Sequence, residues 1–199
     1  NGYLVFIPDV VFRKGEPGAS SYDAVVSGVK SLIDRYDFID KDRIALNGHS
    51  WGGYQIAFLV TRTNMFKAAV SGAPVVNMTS AYGGIRWESG KSRMFQYEQT
   101  QSRIGGTLWD KPAEFIRNSP LFFLPQVQTP VLIMHNDKDG SVMWEQGIEF
   151  FMALRRLDKP VWLFNYKGEG HHLKKWENRL DYSRRVMEFY DYYLKDGKK

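Results

Sequence analysis

The sequence feature that most constrains the fold is an alternation. Short apolar runs at residues 4–7, 43–47, 68–71, 131–135 and 161–166 are separated by stretches with helical periodicity. Within each run apolar residues follow one another rather than alternating with polar ones, as in strands covered on both faces, so a parallel sheet is predicted. The stretches between become its helical crossovers, which makes the fold class α/β: a mostly parallel sheet flanked by helices. The first helix is the clearest, with Ser20 or Ser21 as its N-cap and Val25, Val29, Leu32, Ile33 and Tyr36 along one face. Further helices are expected around Trp144, Ile148 and Phe151, and through Tyr182, Val186, Phe189, Tyr190 and Tyr193. Between residues 74 and 120 the pattern dissolves into glycine, polar residues and scattered aromatics (Trp87, Phe95, Tyr97, Trp109), and this stretch reads as a cap-like insertion. At 199 residues, with no internal repeat, the chain 1–199 is expected to form a single domain.

Composition removes several function classes. Apolar residues make up 43% and charged residues 25% of the chain, a globular balance rather than a disordered or membrane one. The apolar stretch from Leu4 to Phe12 is interrupted by Pro8 and Asp9 and falls short of the roughly 20 residues that span a bilayer, so no membrane span is expected. The net charge of +5 is dispersed among acids, apart from pairs such as Arg155-Arg156 and Arg184-Arg185, and points to a solvated surface, not to nucleic acid. The absence of cysteine excludes disulfides, thiolate metal sites and cysteine nucleophiles.

Chemistry enters directly after the second run. Gly48-His49-Ser50-Trp51-Gly52 is a G-x-S-x-G pentapeptide, followed by a helical stretch through Ile56, Ala57, Leu59 and Val60. Between a strand and a helix the pentapeptide has a mechanical purpose: glycines allow a tight, strained turn that leaves the serine Oγ exposed at the carboxyl edge of the sheet. The helix starting there would aim the backbone N–H of Trp51 and its positive dipole end at a developing oxyanion. A serine hydroxyl needs a base to take its proton and an acid to orient that base. Both follow in order: Asp137 and Asp139 after the strand ending in His135, then His171 and His172 after the strand ending near Tyr166. His49 and His135 flank strand ends and read as structural. Neither a metal nor a cofactor is expected.

At these residues the chain resembles the catalytic domain of the prolyl oligopeptidase family of serine peptidases, which includes dipeptidyl and acylaminoacyl peptidases. The carriers are Gly48-His49-Ser50-Trp51-Gly52-Gly53-Tyr54, the run Pro130-Val131-Leu132-Ile133-Met134-His135 with Asp139 and Val142 behind it, and Gly168-Glu169-Gly170-His171. The resemblance implies an α/β-hydrolase fold, selects Asp139 over Asp137 and His171 over His172, and makes Ser50, Asp139 and His171 the catalytic residues. It implies oligopeptides as substrates. By position, Val75, Val142 and Tyr54 are candidates for the substrate pocket. The family's aromatic pocket residues are not evident after Ala73-Pro74-Val75, which leaves an esterase or a non-catalytic binding domain on the same fold as the alternatives.

In the family the second oxyanion donor is a tyrosine on the loop after the third strand. Residues 4–7 correspond to the fourth strand, so the chain reads as a partial domain lacking the first strands. It is expected to be weak or inactive alone, and to associate with a second copy through an unpaired sheet edge.

Overall fold

The structure, a computed structural model, describes residues 2–195. After an extended N-terminal stretch the chain forms α1 (Pro17–Arg35), β1 (Ala45–His49), α2 (Trp51–Val60), β2 (Ala68–Gly72) and α3 (Met78–Tyr82). A small hairpin of β3 (Ile85–Arg86) and β4 (Lys91–Ser92) leads to α4 (Met94–Glu98), α5 (Pro112–Arg117) and a 3-10 turn (Pro120–Gln126). Then come β5 (Val131–Met134), α6 (Trp144–Arg156), β6 (Val161–Phe164) and α7 (Trp176–Tyr190), closed by a π turn (Asp191–Lys195).

The main sheet has the order β1-β2-β5-β6 and is parallel throughout, with Ala45 opposite Ala68, Ala69 opposite Val131 and Val131 opposite Val161. Period-two alternation sends successive residues to opposite faces, and both faces are covered. On one, Leu46, Ala69, Val131 and Ile133 meet Val26 and Val29 of α1, Ile56 and Leu59 of α2, and Phe150 and Leu154 of α6. On the other, Ala68, Val70 and Leu132 meet Val186, Phe189 and Tyr190 of α7, with Leu194. Each fully buried side chain of this size contributes roughly 1.5–3 kcal/mol through removal from water. Two-sided burial explains why these strands lack a polar face in the sequence.

Two expectations are corrected. Residues 4–7 form no strand: Leu4, Val5 and Ile7 are 79%, 83% and 85% exposed. A strand exists only when its backbone N–H and C=O groups have a ladder partner, and among the described residues β1 pairs with β2 alone. The apolar sequence is present; the neighbour that would make it a strand is not. The second correction concerns α1, which begins at Pro17 rather than after Ser20 or Ser21. Proline suits the first helical position because its missing N–H would have no partner there. The two serines instead donate to backbone oxygens one turn earlier, Ser20 Oγ to Glu16 O at 2.7 Å and Ser21 Oγ to Pro17 O at 2.9 Å.

Residues 74–120 hold α3, α4, α5 and the hairpin, and converge on a second apolar cluster. Tyr82 and Phe115 meet edge to face with ring centroids 5.1 Å apart, and Tyr97 is buried beside them. Polar contacts fix this segment to the sheet's carboxyl end. Gln146 Oε1 accepts from the N–H groups of Val76 and Asn77 at 3.0 and 2.9 Å, and Arg86 Nη2 donates to Ser141 Oγ at 3.0 Å. No helix among the described residues is long and apolar enough to cross a membrane.

Candidate active site

Ser50 stands between β1 and α2 with φ +59° and ψ −117°, left-handed backbone that costs a non-glycine residue roughly 1–3 kcal/mol. Its neighbours hold it there. The Ser50 N–H donates to Gly72 O on β2 at 2.7 Å, and Tyr54 N–H donates to Ser50 O at 3.0 Å. A Cβ at Gly48 would lie 2.4 Å from Gly52 O, and one at Gly53 would lie 2.3 Å from Gly72 O, so both positions need glycine. With Tyr54 supplying the first backbone bond to Ser50 O, the N–H of Trp51 is one of the orphan donors at the head of α2. It can serve an anion formed at Ser50 Oγ's reaction partner.

Asp139 lies on the loop after β5. The Asp139 side chain is fully enclosed: Oδ1 accepts from the N–H groups of Ser141 and Val142, both at 2.8 Å, and Oδ2 accepts from His171 Nδ1 at 2.8 Å. His135 Nε2 lies 3.3 Å from the same Oδ2 and 3.1 Å from Val142 O. Because both neighbours are acceptors, His135 carries its proton on Nε2 and donates to the pair. Burial alone would push the Asp139 carboxyl up, but the hydrogen bonds from His135, His171 and Val142 outweigh it and hold the group well below the usual carboxylate range. Asp139 is therefore an anion at any working pH, and it keeps the His171 proton on Nδ1 and a lone pair on Nε2. Asp137, the neighbouring candidate, is half-exposed and accepts from Gly168 N–H at 2.8 Å instead.

His171 lies on the loop after β6, and that loop is pinned at several points. Asn136 donates from Nδ2 to Gly170 O at 2.8 Å and accepts at Oδ1 from Tyr166 N–H at 3.0 Å. The Glu169 carboxylate accepts from Lys174 N–H at 2.8 Å, Lys175 N–H at 3.0 Å and Asn178 Nδ2 at 2.7 Å. The Asn136 bonds tie the loop that carries Asp139 to the one that carries His171. Asn136 carries no sequence signal beyond standing next to a motif, whereas Glu169 belongs to the Gly168-Glu169-Gly170-His171 stretch without its anchoring role being legible there.

Histidines gather here. The His49 ring lies 4.9 Å from that of His171 and 4.7 Å from that of His172, centroid to centroid, and His171 and His172 are 4.8 Å apart. Burial, with repulsion from His171 and His172 behind it, lowers the His49 pKa to about 4, so its ring is neutral at pH 7.

Comparison with known proteins decides the family. The chain matches the prolyl oligopeptidase family over residues 12–197. It belongs to that family. Among curated relatives, the uncharacterized peptidase YuxL of Bacillus subtilis is 31% identical over 81% of this chain and 23% of its own length. The acylamino-acid-releasing enzyme of Homo sapiens is 29% identical over 84% of this chain and 22% of its own. The chain thus spans about a quarter of the length of these relatives. Among solved structures, Pyrococcus horikoshii acylaminoacyl peptidase superposes with a TM-score of 0.79 at 21% identity, covering 94% of this chain and 29% of that one. A puromycin-hydrolyzing peptidase of Mycobacterium tuberculosis gives 0.78 at 24% identity, covering 92% and 26%. The fold is that of the α/β-hydrolase peptidases.

Val75, Val142 and Tyr54 all fall in the cluster that joins residues 74–120 to the sheet, at 4%, 5% and 0% exposure. Tyr54 stacks on the Trp51 ring at 4.4 Å, so the residue after Ser50 packs directly against this buried cluster.

Proposed function

We propose that this chain carries the catalytic machinery of a serine peptidase acting on oligopeptides, with Ser50 as nucleophile, His171 as base and Asp139 as orienting acid. The observation that carries the reading is the 2.8 Å hydrogen bond between His171 Nδ1 and Asp139 Oδ2, made by a buried anion on the loop after one strand to a ring on the loop after the next. That bond leaves His171 Nε2 as the basic atom. In the reaction Nε2 takes the Ser50 Oγ proton as Oγ attacks the scissile carbonyl. The oxyanion draws on the Trp51 N–H, a donor whose loss costs about 10²–10³ in turnover in comparable sites. His171 then returns the proton to the departing amine, and water, deprotonated by the same Nε2, releases the acyl group from Ser50.

Membership of the family supports peptide bonds as the target, and the names of relatives, acylamino-acid-releasing enzyme and dipeptidyl-peptidase, support short peptides. The experiment compares acylated and free oligopeptides with p-nitrophenyl esters as substrates for wild type and Ser50→Ala. Peptide cleavage lost in Ser50→Ala supports the reading. Ester cleavage without peptide cleavage makes the chain an esterase, and a folded protein inert to both makes it a binding domain.

A further inference from the structure

Residues 122 positions apart in sequence, His49 and His171, pack together with His172, His49 being the residue before Ser50, and the catalytic reading uses only one of the three. One nitrogen from each lies within 4.8 Å of the others. A tetrahedral Zn²⁺ with Zn–N bonds of about 2.0–2.1 Å holds its nitrogens about 3.3 Å apart, so closing this triangle asks each nitrogen to move by less than about 1 Å.

The surroundings resemble a metal site in two further respects. His171 already donates Nδ1–H to the Asp139 carboxylate, the carboxylate–histidine arrangement that fixes the tautomer of a zinc-binding imidazole and aims its other nitrogen at the ion. His49 Nε2 is buried without any hydrogen-bond partner, an orphan that a metal would satisfy. The His49 ring packs against Gly72, where a Cβ would lie 2.6 Å from its Nδ1, so only glycine at that position admits the ring here. His172 is exposed and closes the triangle from the solvent side.

We propose that His49, His171 and His172 form a site for a borderline divalent cation of the Zn²⁺ class, and that its occupation switches the hydrolase off. The inhibitory half rests on the catalytic reading above. Zinc would occupy the Nε2 lone pair of His171 that must take the Ser50 proton, so the ion and the reaction compete for one atom. Three imidazoles and an open fourth position suit zinc chemically, whereas Mg²⁺ and Ca²⁺ prefer oxygen ligands and should not compete.

The test uses tag-free protein in chelator-treated buffer and two independent readouts. Isothermal titration with ZnCl₂ and the visible absorption of added Co²⁺ report binding; fluorophosphonate labelling reports the serine. Wild type should bind one ion per chain at micromolar concentration, show tetrahedral Co²⁺ bands, lose labelling with zinc and regain it with EDTA. His172→Ala should weaken zinc binding at least tenfold while labelling without metal stays at the wild-type rate. No zinc binding at 100 µM, or binding unchanged in His172→Ala, would overturn the site. Binding with undiminished labelling would overturn the inhibition. A protein never labelled even without metal would count against the catalytic reading, while the titration still decides the site.

Discussion

Replacing Asp139 by asparagine exchanges one carboxylate oxygen for an NH₂ group in a fully enclosed position with four hydrogen-bond partners. Oδ1 would keep the Ser141 and Val142 N–H groups at 2.8 Å, because those are two donors and only the amide oxygen can accept them. The amide nitrogen must then face His171 Nδ1 and His135 Nε2, which donate to Oδ2 in the wild type. Two charge-assisted bonds, each worth about 1.5–3 kcal/mol, become donor–donor conflicts, so roughly 3–5 kcal/mol of stability should go. The effect on rate is larger in consequence. His171 can relieve its conflict only by moving the proton to Nε2, and the ring then has no lone pair for Ser50. Such a tautomer error in a serine peptidase triad costs about 10⁴-fold, equivalent to about 5.5 kcal/mol of barrier. The rate of fluorophosphonate labelling measures the second effect and urea unfolding the first. A folded Asp139→Asn that labels within tenfold of wild type would refute the assignment of Asp139 as the orienting acid.

Three further predictions follow from the same contacts. Gly53→Ala puts a Cβ 2.3 Å from Gly72 O, the carbonyl that holds the Ser50 N–H, so labelling should fall steeply and stability by roughly 1–3 kcal/mol; unchanged labelling would mean the turn is not held through β2. Hydrogen bonds from Lys174 N–H and Asn178, with Lys175 N–H, lower the Glu169 pKa, so its anchoring of the base loop is complete above the ordinary glutamate range and is lost as pH falls through that lowered value. Glu169→Gln should accordingly expose residues 168–175 to proteolysis at neutral pH, where an unaltered digest would count against the anchor. The exposed Leu4, Val5, Ile7 and Val11, beside a β1 edge that pairs with β2 alone among the described residues, should drive self-association. Light scattering at micromolar concentration should find dimers or larger species that Val5→Lys/Ile7→Lys disperses, and a monomeric wild type would contradict it.

What could be read in the sequence was what local chemistry determines. The strands at β1, β2, β5 and β6 announce themselves because two-sided burial leaves them mostly apolar without a regular polar alternation, and the turn at Ser50 because its glycines cannot be replaced where Gly52 O and Gly72 O approach. The choice between Asp137 and Asp139 could not be made from the loop's chemistry; it came from resemblance, and in the structure it is Asp139 that lies 2.8 Å from His171. Residues 4–7 have the composition of a strand, but strand formation depends on a partner that composition does not encode. The helices of residues 74–120 escaped notice because α3, α4 and α5 have 5, 5 and 6 residues, too few turns for a helical period to emerge. The contacts of His135 with Asp139, and of His49 with His171 and His172, are tertiary. Reading His49 and His135 as structural followed from their position at strand ends, where nothing in the neighbouring residues signals the base loop packed above them.

The central claim is that Ser50 is an activated nucleophile, and the most direct measurement is fluorophosphonate labelling with the modified residue located by mass spectrometry. A single adduct on Ser50 of the wild type is expected, absent in Ser50→Ala and in His171→Ala while both variants stay folded. A folded wild type that remains unlabelled, or an adduct on another residue that survives Ser50→Ala, would contradict it.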